Sequence, residues 1–258
     1  MKIAVCGKGG VGKTFIAGSL ARCLVLSGHP VLAIDADSSP NLAMTLGLSG
    51  EEAARIVPVA ENEELIRLKT ATEYPGVFRL TFTVDDIIRK HAVPTPSGAH
   101  LLVMGTVKAM GSGCACPAHS VIKALMRHLV VERDEAVILD MEAGIEHLGR
   151  GTAGRVNSLL VITDANRKSL ETAAAICRLA RGMETANVGL VGNRVDGPGQ
   201  EMAIRRFADE HGLEIFAMIP YDRQVSETGI SGNALDESSS VAFRALQEFA
   251  AGLARDEK

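Results

Sequence analysis

Gly7-Lys8-Gly9-Gly10-Val11-Gly12-Lys13-Thr14 decides the fold of this chain. The run satisfies every fixed position of the G-x-x-x-x-G-K-[ST] phosphate loop. Lys2-Ile3-Ala4-Val5-Cys6 precedes it as a short apolar strand, and Phe15 to Leu26 follows with helical spacing. That strand–loop–helix setting is the one the motif needs. The glycines let the main chain wrap so that its N–H groups face phosphate oxygens. The helix N-terminus adds its positive end. Gly9, Gly10, Val11, Gly12, Lys13, Thr14 and Phe15 are therefore the candidate phosphate-binding set. Lys13 is placed to reach the β- and γ-phosphates, and the Thr14 hydroxyl to take one position on Mg²⁺. A Gly-rich turn without a ligand is the bland alternative, and the complete motif in its context argues against it.

Outward from the loop, strands and helices alternate. Val31 to Asp35, His100 to Met104, Ala136 to Asp140, Ser158 to Thr163, Val188 to Val191 and Glu214 to Ile219 read as strands. Helical periods run over Ser120 to Val131, Ser169 to Arg181, Gln200 to His211 and Ser239 to Leu253. Apolar strands separated by helices predict a doubly wound α/β domain, with a mainly parallel sheet of about seven strands covered on both faces. Residues 50–98 carry Pro58, Pro75, Pro94 and Pro96 and read as an irregular insertion within one domain spanning 1–258. No repeat or low-complexity tract interrupts the pattern.

Composition limits the function classes. The chain has 258 residues, enough for one large domain with a substantial core. Hydrophobic residues make up 47% and charged residues 22%, the balance of a soluble globule. A formal net charge of −4 gives no basic field for nucleic acid. No apolar run reaches membrane-spanning length, and Lys2 leads straight into the first strand without a secretory signal. Five cysteines without framework spacing point to a reducing, cytoplasmic setting. Aromatics are only 3%, so the core is expected to be built from Ala, Val, Leu, Ile and Met. Cys6, Cys23 and Cys177 fall on apolar faces and read as small buried hydrophobes.

Two strands end in acid, where open α/β sheets bind their ligands. Asp35-Ala36-Asp37-Ser38-Ser39-Pro40-Asn41 sets two carboxylates just past one strand. One is suited to a Mg²⁺-bound water and the other to the attacking water. A turn rich in Asp, Ser and Pro is the structural alternative. Asp140-Met141-Glu142-Ala143-Gly144 ends a second strand. Gly111-Ser112-Gly113-Cys114-Ala115-Cys116-Pro117 is a third unusual stretch. Cys114 and Cys116 can present two thiolates to one metal, but tetrahedral Zn²⁺ wants four ligands. A twofold dimer supplies the pair twice. Such a soft site suits Zn²⁺, Cu⁺ or Ni²⁺. Two reduced loop cysteines are the alternative. His119 is near enough to be a spare ligand, but reads better as the first turn of the following helix.

With its extra Lys8, the loop resembles the deviant Walker A motif of the family that includes the nitrogenase iron protein and the septum- and partition-site ATPases. The resemblance implies that Lys8 crosses a dimer interface to the partner's nucleotide. It likens Asp35 to Asn41 to switch I, with Asp37 positioning water and near Mg²⁺. It likens Asp140 to a Walker B aspartate holding Mg²⁺ through water, and Gly144 to the switch II glycine whose N–H senses the γ-phosphate. Gly192-Asn193-Arg194-Val195-Asp196 is similar both to the N-K-x-D guanine reader and to the family's adenine-reading Asn. Pro220, Tyr221 and Asp222 stand where the family packs a loop on adenine, which favours ATP and ADP.

The Cys-x-Cys loop and the run Asp140 to Thr152, which contains Ala143-Gly144-Ile145-Glu146-His147-Leu148, look like the carbon monoxide dehydrogenase accessory ATPases. That family includes nickel-insertion proteins and relatives that mature acetyl-CoA synthase. The likeness implies a homodimer dependent on nucleotide and metal, one Ni²⁺ or Zn²⁺ between subunits on Cys114 and Cys116, slow ATP hydrolysis, and a nickel enzyme as client. Neither nucleic acid nor membrane is implied as a partner. Phe15 departs from the usual second Thr, and Asp164-Ala165-Asn166 from an acid followed by proline. An iron–sulfur reductase is disfavoured because Asp140 to Arg155 contains no cysteine. A membrane-positioning ATPase is disfavoured because the last helix lacks a basic face, and a DNA-positioning one because the net charge of −4 offers no basic patch.

Overall fold

The central strands are apolar at nearly every position, so neither of their faces can be left to water. In the computed structural model, β1 (Lys2–Gly7), β5 (Ala136–Met141) and β6 (Ser158–Thr163) are buried at all six positions. The structure describes residues 1–37, 39–74, 77–79, 82–105, 117–131, 135–142, 156–181, 187–231 and 235–255.

Eight strands form one sheet in the order β3-β4-β2-β5-β1-β6-β7-β8. The others are β2 (Val31–Ala36), β3 (Val93–Pro94), β4 (His100–Val103), β7 (Asn187–Val195) and β8 (Ile215–Pro220). All neighbours are parallel except β3 on β4. The eighth strand beyond the seven expected is β3, a two-residue antiparallel edge. Its Pro94 is tolerated because an edge position need not donate to a ladder.

Alternate residues feed opposite sides. Ala4, Cys6, Leu32, Ile34, Val137 and Leu139 point into one core layer. There α6 (Pro117–Val131) supplies Val121, Leu125 and Leu129, and α7 (Arg167–Arg181) supplies Ala173, Ile176 and Cys177. Ile3, Val5, Val31, Ala33 and Ile138 point into the other layer. There α1 (Lys13–Leu26) supplies Ile16, Leu20 and Leu24, and α10 (Val241–Leu253) supplies Phe243 and Leu246. Cys6, Cys23 and Cys177 are all buried, as their apolar setting implied. Burial pushes the Cys23 thiol up to about 12 and the Cys177 thiol up to about 11, which leaves neither reactive.

The segment 50–98 is more regular than its prolines suggested. After α2 (Leu42–Thr45) it holds α3 (Gly50–Ala54), a 3₁₀ turn (Val59–Glu61), α4 (Glu63–Thr70) and α5 (Asp85–His91). Local caps explain this. Ser49 and Glu52 form a reciprocal capping box, and the Asn62 side chain accepts from the Leu65 N–H at 2.9 Å. Val59, Leu65, Val84, Ile87 and Ile88 then bury into the first core layer. The remaining helices are α8 (Pro198–His211) and α9 (Arg223–Ser231).

From β1 the chain passes to β2 on one side, and the later step from β5 to β6 carries it to the other. The carboxyl end of β1 is thus a topological switch point, where such sheets open a ligand crevice. Among the described residues no helix is long and apolar enough to cross a membrane. The last helix is a core element, because Phe243 and Leu246 are 4% and 0% exposed against α1 and the sheet. Phe243→Ala is therefore expected to cost about 3–5 kcal/mol by cavity formation. Chemical denaturation with an unchanged m-value measures it, and a loss below 1 kcal/mol would return α10 to the surface.

Candidate functional site

The phosphate loop is shaped by close approaches that only glycine permits. Gly7 lies at φ 143, and a Cβ there would stand 2.3 Å from the Ile162 carbonyl oxygen of β6. Gly12 lies at φ 93 in the left-handed region just before α1, and a Cβ there would stand 2.4 Å from the Asn193 side-chain nitrogen. Gly12 at the N-cap of α1 has no side chain to cap it. Its first main-chain bond runs from the Ile16 N–H to the Gly12 carbonyl at 3.1 Å, so the preceding N–H groups stay available to an anion. Lys13 opens the helix and is 7% exposed. Phe15 packs its ring into the core layer of α1, so it can offer a phosphate only its backbone.

The two acidic strand ends meet across the sheet. Asp35 and Asp140 are register partners on β2 and β5, and both are wholly buried. Their surroundings differ. The Asp35 carboxylate accepts from the Asp37 N–H at 3.2 Å and the Leu42 N–H at 2.9 Å. It thereby closes the loop and starts α2. Burial raises its pKa, while those N–H groups pull it down. Asp140 has no such N–H partners, since among the described residues neither of its oxygens makes a hydrogen bond. Burial is the largest cause lifting its pKa from 3.8 to about 7, and the Asp35 and Asp37 charges add to it. The nearby Thr14 hydroxyl and Lys13 ammonium oppose the rise, though Thr14 stands outside hydrogen-bond geometry.

A buried carboxylate without a donor is costly unless something else meets it. Mg²⁺ fits here, because its hard oxygen ligands and retained waters match Asp140 and the Thr14 hydroxyl. Asp37 reaches the same corner, with its carboxylate turned onto the Ser39 N–H at 2.9 Å. The loop-closing part of Asp35 was missed in the sequence. Its signal was an Asp whose oxygen lies two residues ahead of an N–H in a polar turn.

On the other flank, the β7–α8 loop touches the phosphate loop directly. Asn193 is 3% exposed, and its amide donates to the Val11 carbonyl at 2.8 Å. The Arg194 guanidinium donates to the Gly10 carbonyl at 3.0 Å. These contacts join residues far apart in sequence, so periodicity carried no sign of them. Tyr221 is exposed beside the same loop, and its N–H donates to the Val195 carbonyl at 3.0 Å. Asp222 is otherwise occupied. Its carboxylate accepts from Gln224 N–H, the Ser240 hydroxyl at 2.6 Å and Ala242 N–H. Burial alone would raise its pKa, but these donors outweigh burial and hold it below the ordinary range. Its carboxyl group starts α9 and α10.

Clefts of about 600 and 510 Å³ open between α7 and α8, the second lined by Arg194, Asp164 and Gln200. Neither is lined by a phosphate-loop residue, and the second meets that loop only through Arg194. Cys114, Cys116 and Gly144 lie outside the described residues. His119 falls in the first turn of α6, where its position in sequence put it. Among the described residues no cluster of three or more His, Cys, Asp or Glu is arranged for a metal.

Comparison with known proteins agrees with this arrangement. Residues 2–235 match the CobQ/CobB/MinD/ParA nucleotide binding domain. An uncharacterized ATP-binding protein of Methanocaldococcus jannaschii is 39% identical over 245 residues, covering 94% of this chain and 93% of its own length. The carbon monoxide dehydrogenase accessory protein CooC of Rhodospirillum rubrum is 41% identical over 234 residues, covering 90% and 88%. The MinD cell division protein of Aquifex aeolicus superposes with a TM-score of 0.67 at 22% identity, covering 98% of this chain and 95% of its own, a likeness of fold. With a complete phosphate loop at the switch point and two buried acids beside it, the chain is an ATPase of the CobQ/CobB/MinD/ParA family, in the branch that contains the CooC-like accessory ATPases.

Proposed function

We propose that this ATPase is a cytoplasmic metallochaperone, a homodimer that couples its nucleotide state to a nickel site and serves a carbon monoxide dehydrogenase or acetyl-CoA synthase. The observation that supports the hydrolytic part is the Asp140 carboxylate, buried without a hydrogen-bond partner beside Lys13 and Thr14. Support for the client class is the 41% identity to the R. rubrum accessory protein over 90% of the chain, joined to Cys114 and Cys116.

In this reading the N–H groups of Gly9 to Phe15 and the α1 N-terminus hold the α- and β-phosphates of ATP. Lys13 lies against the β- and γ-oxygens. Thr14 and Asp140 hold Mg²⁺, Asp140 through water, with Asp37 beside them. When bound, the ion neutralises charge building on the transferred phosphoryl group. Asp37 leaves the Ser39 N–H to orient the attacking water. The Gly144 N–H registers the γ-phosphate, and Asn193 with Pro220 and Tyr221 frames the adenine. Lys8 reaches the partner's nucleotide, so ATP draws two chains together. Cys114 and Cys116 from each chain then place four thiolates on the axis for Ni²⁺ or Zn²⁺. Nucleotide and metal share one interface, so each changes the other's affinity by the same factor.

Asp140 ties activity to stability. Its folded pKa of about 7 exceeds its ordinary 3.8, so the folded chain holds the extra proton between those values. Stability without ligand therefore falls as pH rises through that window, and the full loss applies above about 7. Asp140→Asn removes the charge. The ligand-free variant is expected to be more stable than wild type at pH 8, by on the order of 2–4 kcal/mol, with the gap closing towards pH 4. The same variant loses Mg²⁺-dependent hydrolysis. Thermal unfolding over pH measures the first effect, and a destabilised variant at pH 8 contradicts it.

Lys13→Ala is expected to abolish nucleotide binding or hydrolysis. Lys8→Ala is expected to keep ADP binding while losing ATP-driven dimerisation and lowering turnover by on the order of 10³-fold, the scale of a cation supplied in trans. Wild-type turnover by the Lys8 variant removes the crossing role.

The metal site is tested by equilibrium dialysis with metal analysis beside light scattering. About one Ni²⁺ or Zn²⁺ per two chains is expected, with association promoted by metal even without nucleotide. Cys114→Ser and Cys116→Ser should each lose tight metal binding and keep ATP-dependent dimerisation. One metal per chain, or unchanged affinity in both variants, rejects the metallochaperone reading.

A further inference from the structure

Arg194 stands out in the β7–α8 loop. It is the non-glycine residue held at positive φ (57) among the described residues, a left-handed conformation that costs any residue with a Cβ. It forms no ion pair among the described residues, although Arg167, Arg205, Arg206 and Arg223 each pair with a glutamate. Its guanidinium instead donates to the Gly10 carbonyl at 3.0 Å. It also passes 3.9 Å from where a Cβ on Gly12 would stand, so it spans the phosphate loop from Gly10 to Gly12. Asn193 holds the next carbonyl, that of Val11, at 2.8 Å.

A trans peptide points its C=O and the following N–H to opposite sides. Anchoring the Gly10 and Val11 carbonyls on the β7–α8 loop therefore turns the N–H groups of Val11 and Gly12 away from that loop, into the concavity of the phosphate loop. The Val11 N–H shows that direction already, meeting the Lys8 carbonyl across the loop at a long 3.5 Å. Gly10 and Gly12 sit at φ 85 and 93, where the backbone is least restrained by its own sterics, so an external anchor has the most to fix there.

We infer that Arg194 is a positioning residue for the phosphates: its left-handed backbone and its guanidinium clamp the Gly10 carbonyl and preset the phosphate loop before nucleotide arrives. This rests on the ATP-binding reading and adds to it, because it moves Arg194 from the base to the phosphate end. A preset cradle avoids ordering that the ligand would otherwise have to supply.

The clamp and a base contact differ in what they recognise. A clamp affects any ligand that uses the phosphate loop, whereas a base contact affects only a ligand with a base. The test compares wild type with Arg194→Ala and with Arg194→Gly, which removes the guanidinium and relieves the left-handed strain. Calorimetry with ADP and with base-free pyrophosphate gives the affinities. Hydrogen–deuterium exchange without ligand reports the loop itself. Both variants are expected to weaken ADP and pyrophosphate by the same factor, about tenfold for loss of a charged donor at an exposed site. Exchange should rise over residues 8–13 and stay unchanged in α7 and α8. Weakening of ADP alone assigns Arg194 to the base and overturns the inference. So does unchanged exchange over 8–13, or unchanged affinity for both ligands. Wild-type protein that binds neither ligand defeats the ATPase reading itself, an outcome distinct from failure of the clamp.

Discussion

Burying the central strands on both faces is the constraint from which the rest follows. Once β1, β2, β5 and β6 are covered by helices above and below, ionisable groups cannot sit along their lengths. They collect where the strands run out. The parallel direction brings the ends of β1, β2 and β5 to one rim, so the phosphate loop, Asp35 and Asp140 meet there from three distant parts of the chain. The crossovers that follow β1 and β5 run in opposite directions and open the crevice those groups share.

Two carboxylates at the same level of that rim show how environment separates roles. Asp35 is satisfied by the N–H groups of Asp37 and Leu42 and acts as a structural pin. Asp140 is its register partner, equally buried, and meets no donor among the described residues. Its high pKa is the electrostatic mark of a site poised for a positive ligand. A protein that keeps such a group carries a stability cost that its ligand offsets, as linkage requires of anything binding the folded state alone. The β7–α8 loop completes the arrangement by holding the backs of the Gly10 and Val11 peptides. The β7–α8 loop and the phosphate loop are mechanically joined in this way.

Much of this was legible in the chain itself. The eight residues from Gly7 to Thr14 carry their own mechanism, and the apolar runs ending in Asp35 and Asp140 are readable because buried parallel strands have no polar face to blur them. Strand Ser158–Thr163 was read to the residue for the same reason. The segment 50–98 was read as irregular because its prolines are conspicuous, while the capping of α3 and α4 by Ser49 and Asn62 is local and short. Strand β3 is two residues long and carries no period at all. Helix α9 was not read, and none of its residues is buried, so no apolar stripe marked it.

What the sequence determined by itself is the chemistry that short motifs contain: a phosphate loop, acids at strand ends, and a sheet with two covered faces. These depend on neighbours a few residues away, and local spacing records them. Only the tertiary structure decided which of two similar acids is satisfied, that Asp222 caps helices, and that Arg194 and Asn193 grip a loop more than 180 residues earlier. Each of those outcomes depends on where a single donor lies relative to a single acceptor across the sheet. Hydrogen bonds are short and directional, so contacts of that kind exist only once the strands have taken their order.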